Sequence, residues 1–226
     1  MPTAAALELQ INVDGLPLFK SSSTVLWPIL CLVKCPLPSE PFVVGVFCGQ
    51  SKPSDLSAYF ANFVSELLQL LDCGIDFDGA HFSVAVHSFV CDAPARAMLK
   101  NVKGHSGFHG CEKCHEEGEW HNKVAFLSTT SPLRTDAEFA NMSDSDHHLG
   151  PSVLSSLPIG FVSQFPLDYL HLVCLGVMRR LLLCWTRGPL LTRLPAAKIN
   201  AISDKLLSLS SYIPREFARK PRSLND

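Results

Sequence analysis

Residues 7–14 read L-E-L-Q-I-N-V-D, with Leu7, Leu9, Ile11 and Val13 alternating with Glu8, Gln10, Asn12 and Asp14. A repeat of two is that of a β-strand, whose successive side chains point to opposite faces, so one face of this segment is predicted to be buried. Gly15 and Pro17 then mark a bend. Val25–Val33 and Phe42–Cys48 are two further apolar, β-rich runs, separated by the breaker stretch Pro36–Pro41. Three such runs joined by short turns predict an antiparallel meander.

The period then changes. Leu56, Phe60, Phe63, Val64, Leu67, Leu68 and Leu71 recur at helical spacing, with Ser54 or Asp55 to cap the start and Gly74 to stop the end. Phe82–Cys91, apolar on both faces, predicts a fourth, central strand that ends at Asp92. Ala93–Asn101 predicts a short helix with Pro94 in its first turn. Residues 104–121 are rich in Gly, His, Cys and Glu, so their compactness must come from something other than an apolar core. Residues 128–157 are rich in Ser, Thr, Asp and Pro and predict a long loop. Phe165–Trp185 and Pro195–Ser208 predict helices, with Gly188 and Pro189 between them. The order predicts an α/β fold, the first part of a ribonuclease-H-like fold: a mixed sheet of about four to five strands with helices, a Cys/His knuckle and a helical C-terminal segment. The predicted divisions are a core at 7–127 containing the knuckle, a loop-rich linker at 128–164 and a helical segment at 165–226.

Composition narrows the partners. With 226 residues, 47% hydrophobic and 18% charged, the chain can bury a sizeable core. A formal net charge of −2 gives no whole-molecule attraction to DNA, so nucleic-acid contact would need a local basic patch. The nine cysteines are odd in number and mostly lie in apolar runs, and residues 1–10 lack a secretory pattern. These features predict a reducing compartment, nucleus or cytoplasm. Leu167–Trp185 is the most apolar long stretch, but it carries Asp168, His171, Arg179 and Arg180, so no membrane span is expected.

Asp14 closes the first strand on its polar side and Asp92 ends the fourth. If those strands are neighbours, the two carboxylates converge, and mutual repulsion favours a hard divalent cation such as Mg²⁺. Such ions can activate a water or a 3′-hydroxyl for phosphodiester cleavage. On spacing alone, a strand-end Asp is usually a cap or turn residue. Cys111-Glu112-Lys113-Cys114 has the spacing of two zinc ligands; His105, His109, His115, His121 and His171 are candidates for the rest, and a redox pair is the rival. Arg96, Lys100, Lys103, Lys113 and Lys123 lie around this knuckle and could contact phosphates or simply face solvent. Asp168 and His171, at i and i+3, could bind a metal or hydrogen-bond within a packed helix.

The phrases I-N-V-D-G-L-P-L-F-K-S-S, E-P-F-V-V-G-V-F-C-G, F-V-C-D-A-P-A-R-A, K-G-H-S-G-F-H-G-C-E-K-C and F-P-L-D-Y-L-H-L-V-C-L-G-V-M resemble transposase-derived proteins of the CACTA/Mirage/Chapaev superfamily, over about residues 8–226. The resemblance implies a DDE catalytic domain that acts on DNA with Mg²⁺. Asp14 and Asp92 would be its first two catalytic carboxylates, and Cys111 and Cys114 half of a zinc site. In that family a His pair completes the zinc site and a catalytic Glu follows. Neither is found after Leu182, where the only glutamate is Glu216. The resemblance therefore implies an N-terminal part of the catalytic domain, without strand-transfer activity by itself. The alternative is a domesticated module kept for DNA or protein contacts.

Overall fold

The computed structural model describes residues 6–35, 38–215, 217 and 219–225. Residues 1–5, 36, 37, 216, 218 and 226 lie outside that set, and with them part of the predicted breaker stretch and Glu216. The chain divides into two compact units, Met1–Asp168 and Tyr169–Asp226.

The first unit is built on a five-stranded mixed sheet. Its strands are β1 (Leu7–Val13), β2 (Leu16–Pro17), β3 (Val25–Cys35), β4 (Phe42–Gly49) and, after two short strands, β7 (Val84–Phe89). β3 lies antiparallel to both β1 and β4, which is the expected meander, and β1 lies parallel to β7. The alternation in residues 7–14 works as predicted: Leu9, Ile11 and Val13 are buried with Ile29 and Cys31 of β3 and Val86 of β7. Helix α1 (Leu56–Cys73) covers that face with Phe60 and Leu67. Asp55 caps α1 by accepting from Ala58 N–H, and Gly74, at φ 65°, ends it.

Three expectations are corrected. The fourth strand begins later than predicted, because Ile75–Phe77 (β5) and Ala80–Phe82 (β6) form a separate hairpin. Its turn residues Asp78 and Gly79 both have positive φ, the requirement of a tight two-residue hairpin turn. β7 is also not central: it closes one end of the sheet order, and its outer side is met by Gln164, whose carbonyl accepts from Phe89 N–H. Nor are residues 128–164 a linker. They contain α3 (Asp136–Ala140), which starts with a Thr135–Glu138 capping box, and they supply Phe139, Leu154, Leu157, Phe161 and Val162 to the core. Phe89, Phe165, Phe161 and Phe139 stack in sequence, with ring centroids 4.8–5.7 Å apart. Apolar side chains at irregular spacing did this, so no period announced it.

The second unit is helical, as expected. A π-helical run, Leu170–Met178, leads into α4 (Arg179–Arg187), and α5 (Ala196–Ser208) follows. Among the described residues no helix is long and apolar enough to cross a membrane.

Candidate functional site

The register of β1 on β7, from Leu7 with Val84 to Ile11 with Phe89, carries both strands to one end of the sheet. Past Phe89 the ladder changes character. Val90 N–H donates to the Ile11 carbonyl at 2.8 Å. The Asn12 side-chain amide then donates to the Val90 carbonyl at 2.7 Å, and Val13 N–H meets Cys91 Sγ at 3.4 Å. Asp14 and Asp92 are the next residues on the two sides. Both are half-buried, and both of their charges act on the Cys91 thiol. Burial pushes that thiol up to about 12, outweighing the Val13 N–H and the Arg96 charge that pull it down. It therefore stays neutral beside the two carboxylates.

Each carboxylate is also held locally. Asp14 Oδ1 accepts from Gly15 N–H at 2.7 Å. Gly15 lies against the Trp27 ring, where a Cβ would come within 2.8 Å, so no larger residue fits without moving the indole. Asp92 Oδ1 accepts from Ala95 N–H at 2.8 Å and caps α2 (Ala93–Lys100). The cap occupies one oxygen of Asp92, so capping and a second role are compatible. Two carboxylates at neighbouring strand ends are hard donors suited to a cation such as Mg²⁺, but two donors hold it loosely. Among the described residues no group of three or more His, Cys, Asp or Glu side chains is arranged to hold a metal ion.

The knuckle places Cys111 Sγ and Cys114 Sγ 3.2 Å apart as free thiols. That is well beyond a disulfide bond of about 2.05 Å. It is also short of the roughly 3.8 Å that two thiolates adopt on one tetrahedral zinc. Burial raises the Cys114 thiol. Three of the candidate histidines lie against carboxylates. His109 Nε2 lies 3.8 Å from Glu117, His121 Nε2 lies 3.4 Å from Glu119, and the two nitrogens of His115 lie 3.6 and 3.7 Å from Glu138 and Asp144.

The knuckle is compact because its two middle residues point inward. Glu112 is buried and takes both Arg96 Nε, at 3.1 Å, and Lys100 Nζ, at 3.0 Å. Arg96 Nη1 also donates to the Cys91 carbonyl at 2.8 Å. Lys113 Nζ donates to the carbonyls of Val162 and Phe165. Burial lowers the Lys100 and Lys113 ammonium groups from their ordinary range. The suggestion that Arg96 and Lys100 contact phosphates is thereby corrected: both are sealed against Glu112 and present no charge to solvent. Lys113 is half-buried with its head group engaged, Lys103 is half-buried and Lys123 is exposed.

No family model matches this chain. A search of curated proteins likewise returns no match.

Sequence reading missed Asn12, Glu112, Arg134 and His147. Arg134 ties the knuckle down, donating through Nε to the Cys111 carbonyl at 3.0 Å and through Nη1 to Asp144 at 2.7 Å. His147 is fully buried, with Nδ1 2.7 Å from the His109 carbonyl and Nε2 without a hydrogen-bond partner among the described residues. One signal was available: Arg96 and Lys100 stand four apart on a short, otherwise apolar helix face, and two buried cations need a common anion.

Proposed function

We propose that this chain is a ribonuclease-H-like domain of DDE transposase lineage, whose Asp14–Asp92 pair binds a divalent cation weakly and does not by itself cleave DNA. The observation that carries the reading is the pairing of β1 with β7, which takes Asp14 and Asp92 to the same end of adjacent parallel strands. The strand order, an antiparallel meander with its first strand parallel to a later one, also supports it. A bound Mg²⁺ would neutralise the two carboxylates and polarise a phosphodiester oxygen of the DNA partner. Asp14 and Asp92 would hold it; Cys91, neutral and buried, would keep further negative charge away. In the same reading Cys111 and Cys114 are two ligands of a zinc site. Inactivity follows from the count of donors: two carboxylates orient a hard cation poorly, and among the described residues no group of three or more His, Cys, Asp or Glu side chains is arranged to hold one.

The test is Mn²⁺ binding by the purified chain, followed through loss of the free-ion EPR signal. Binding should be weak, at about millimolar Kd or looser for a site with few protein donors. It should disappear in Asp14→Asn and Asp92→Asn. Asn caps a helix as well as Asp does, so Asp92→Asn should keep its melting temperature while losing the ion. Unchanged binding in both variants would remove the carboxylate pair as the site. Metal-dependent nicking of DNA by the parent chain, lost in Asp92→Ala, would overturn the inactivity.

A further inference from the structure

The parallel ladder between β1 and β7 ends at Ile11 and Phe89, each three residues before its carboxylate, and side chains take over. Val90 N–H still reaches the Ile11 carbonyl at 2.8 Å. In a continuing parallel ladder the Val90 carbonyl would next accept a backbone N–H from β1. Here it accepts the Asn12 side-chain amide, at 2.7 Å. The backbone N–H of Val13 is turned instead to Cys91 Sγ, at 3.4 Å, in a buried contact. Two side-chain bonds therefore replace backbone pairing over the residues directly before Asp14 and Asp92.

Resting on the carboxylate reading above, we propose that Asn12 is a positioning residue for the Asp14–Asp92 pair, with Cys91 as its support. The physical argument concerns where the chain is free to part. Beyond Phe89, β7 must leave the sheet to begin α2 at Ala93, and Asp92 is committed to capping that helix. The departing segment Val90–Cys91 would otherwise diverge from β1 and carry Asp92 away from Asp14. The Asn12 amide holds the Val90 carbonyl at the point of departure, and Cys91 holds Val13. A third tie acts on the same segment: Arg96 Nη1 donates to the Cys91 carbonyl at 2.8 Å while Glu112 fixes the guanidinium. Asn suits the position because its short side chain still offers an N–H donor, whereas Asp there would offer only acceptors and add a third negative charge.

A purely structural Asn12 would change stability without changing how well the pair holds an ion, so the two are measured on the same variants. Asn12→Leu removes the donor at similar volume, and Asn12→Gln keeps a donor on a longer arm. Mn²⁺ affinity is read by EPR of the free ion, and thermal unfolding is followed by circular dichroism. The expected result is about a tenfold weaker Mn²⁺ affinity in Asn12→Leu, partly recovered in Asn12→Gln, with each variant unfolding cooperatively. Cys91→Ala, which strips the Val13 contact, should weaken binding in the same direction, giving a second route if Asn12→Leu does not fold. Equal Mn²⁺ affinity in the parent and in the folded variants, with Asp92→Asn abolishing binding, would overturn the positioning role and leave the carboxylate site standing. No Mn²⁺ bound by the parent would instead sink the carboxylate reading and this inference with it.

Discussion

His147 is the residue whose chemistry differs most from its sequence appearance. Burial lowers its imidazole to about 4, against the opposing hydrogen bond to the His109 carbonyl, with the Arg134 and Lys100 charges adding to the fall. The folded state therefore holds it neutral, while the unfolded chain protonates it near its ordinary value of about 6.5. Below that value the unfolded state binds the extra proton, so stability is fully present above about pH 6.5 and declines as pH falls toward 4. Urea unfolding at pH 5 should show about 2 kcal/mol less stability than at pH 7, and His147→Gln should abolish most of that difference. A parent chain equally stable at both pH values would refute the assignment. Asp144 acts lower on the scale. Burial pushes its carboxyl up, but the Arg134 guanidinium and the His147 and Asp146 N–H groups outweigh it and hold it at about 2. Its contribution is present above about pH 4 and is lost as pH falls through 2.

At the scale of elements, α2 and the knuckle behave as one piece. Glu112 sits between the two cysteines and carries the charges of both Arg96 and Lys100 inside the protein. Removing one member of such a buried network leaves the others uncompensated, so Glu112→Ala should cost about 3–5 kcal/mol in chemical denaturation. A loss below about 1 kcal/mol would mean that water replaces the carboxylate without penalty. Elements with a local code were readable beforehand. Asp55 and Gly74 bounded α1, and Pro94 behind Asp92 announced α2. The Asp-Gly turn of the β5–β6 hairpin and the Thr-x-x-Glu box of α3 carry local codes too, the first in the gap between the predicted helix and strand and the second inside the predicted loop. The aromatic stack had none, because Phe89, Phe139, Phe161 and Phe165 come from segments far apart in the chain.

For the whole molecule, the boundary falls at 168/169 and not at 164/165, because Phe165 is fully buried in the first unit's core. The first unit holds the sheet, both carboxylates, the knuckle and the aromatic stack within itself. Expressed alone, residues 1–168 should unfold cooperatively in urea, with coincident transitions by circular dichroism and tryptophan fluorescence. Non-coincident curves, or a chain without a transition, would show that the boundary is not a folding boundary. Shortening it to 1–127 should abolish the transition, since that removes Phe139, Leu154, Leu157, Phe161 and Phe165 from the core.

The sequence by itself determined the elements whose instructions are short-range: the alternating first strand, the capped helices and the cysteine spacing, since side-chain period and capping act within a few residues. Only the tertiary structure decided that Arg96 and Lys100 face a buried glutamate, that residues 128–164 belong to the core, and that Asn12 and Cys91 finish the ladder ahead of Asp14 and Asp92. Those outcomes depend on which segments share one desolvated space. Burial and charge pairing join residues tens of positions apart, and no local pattern encodes them.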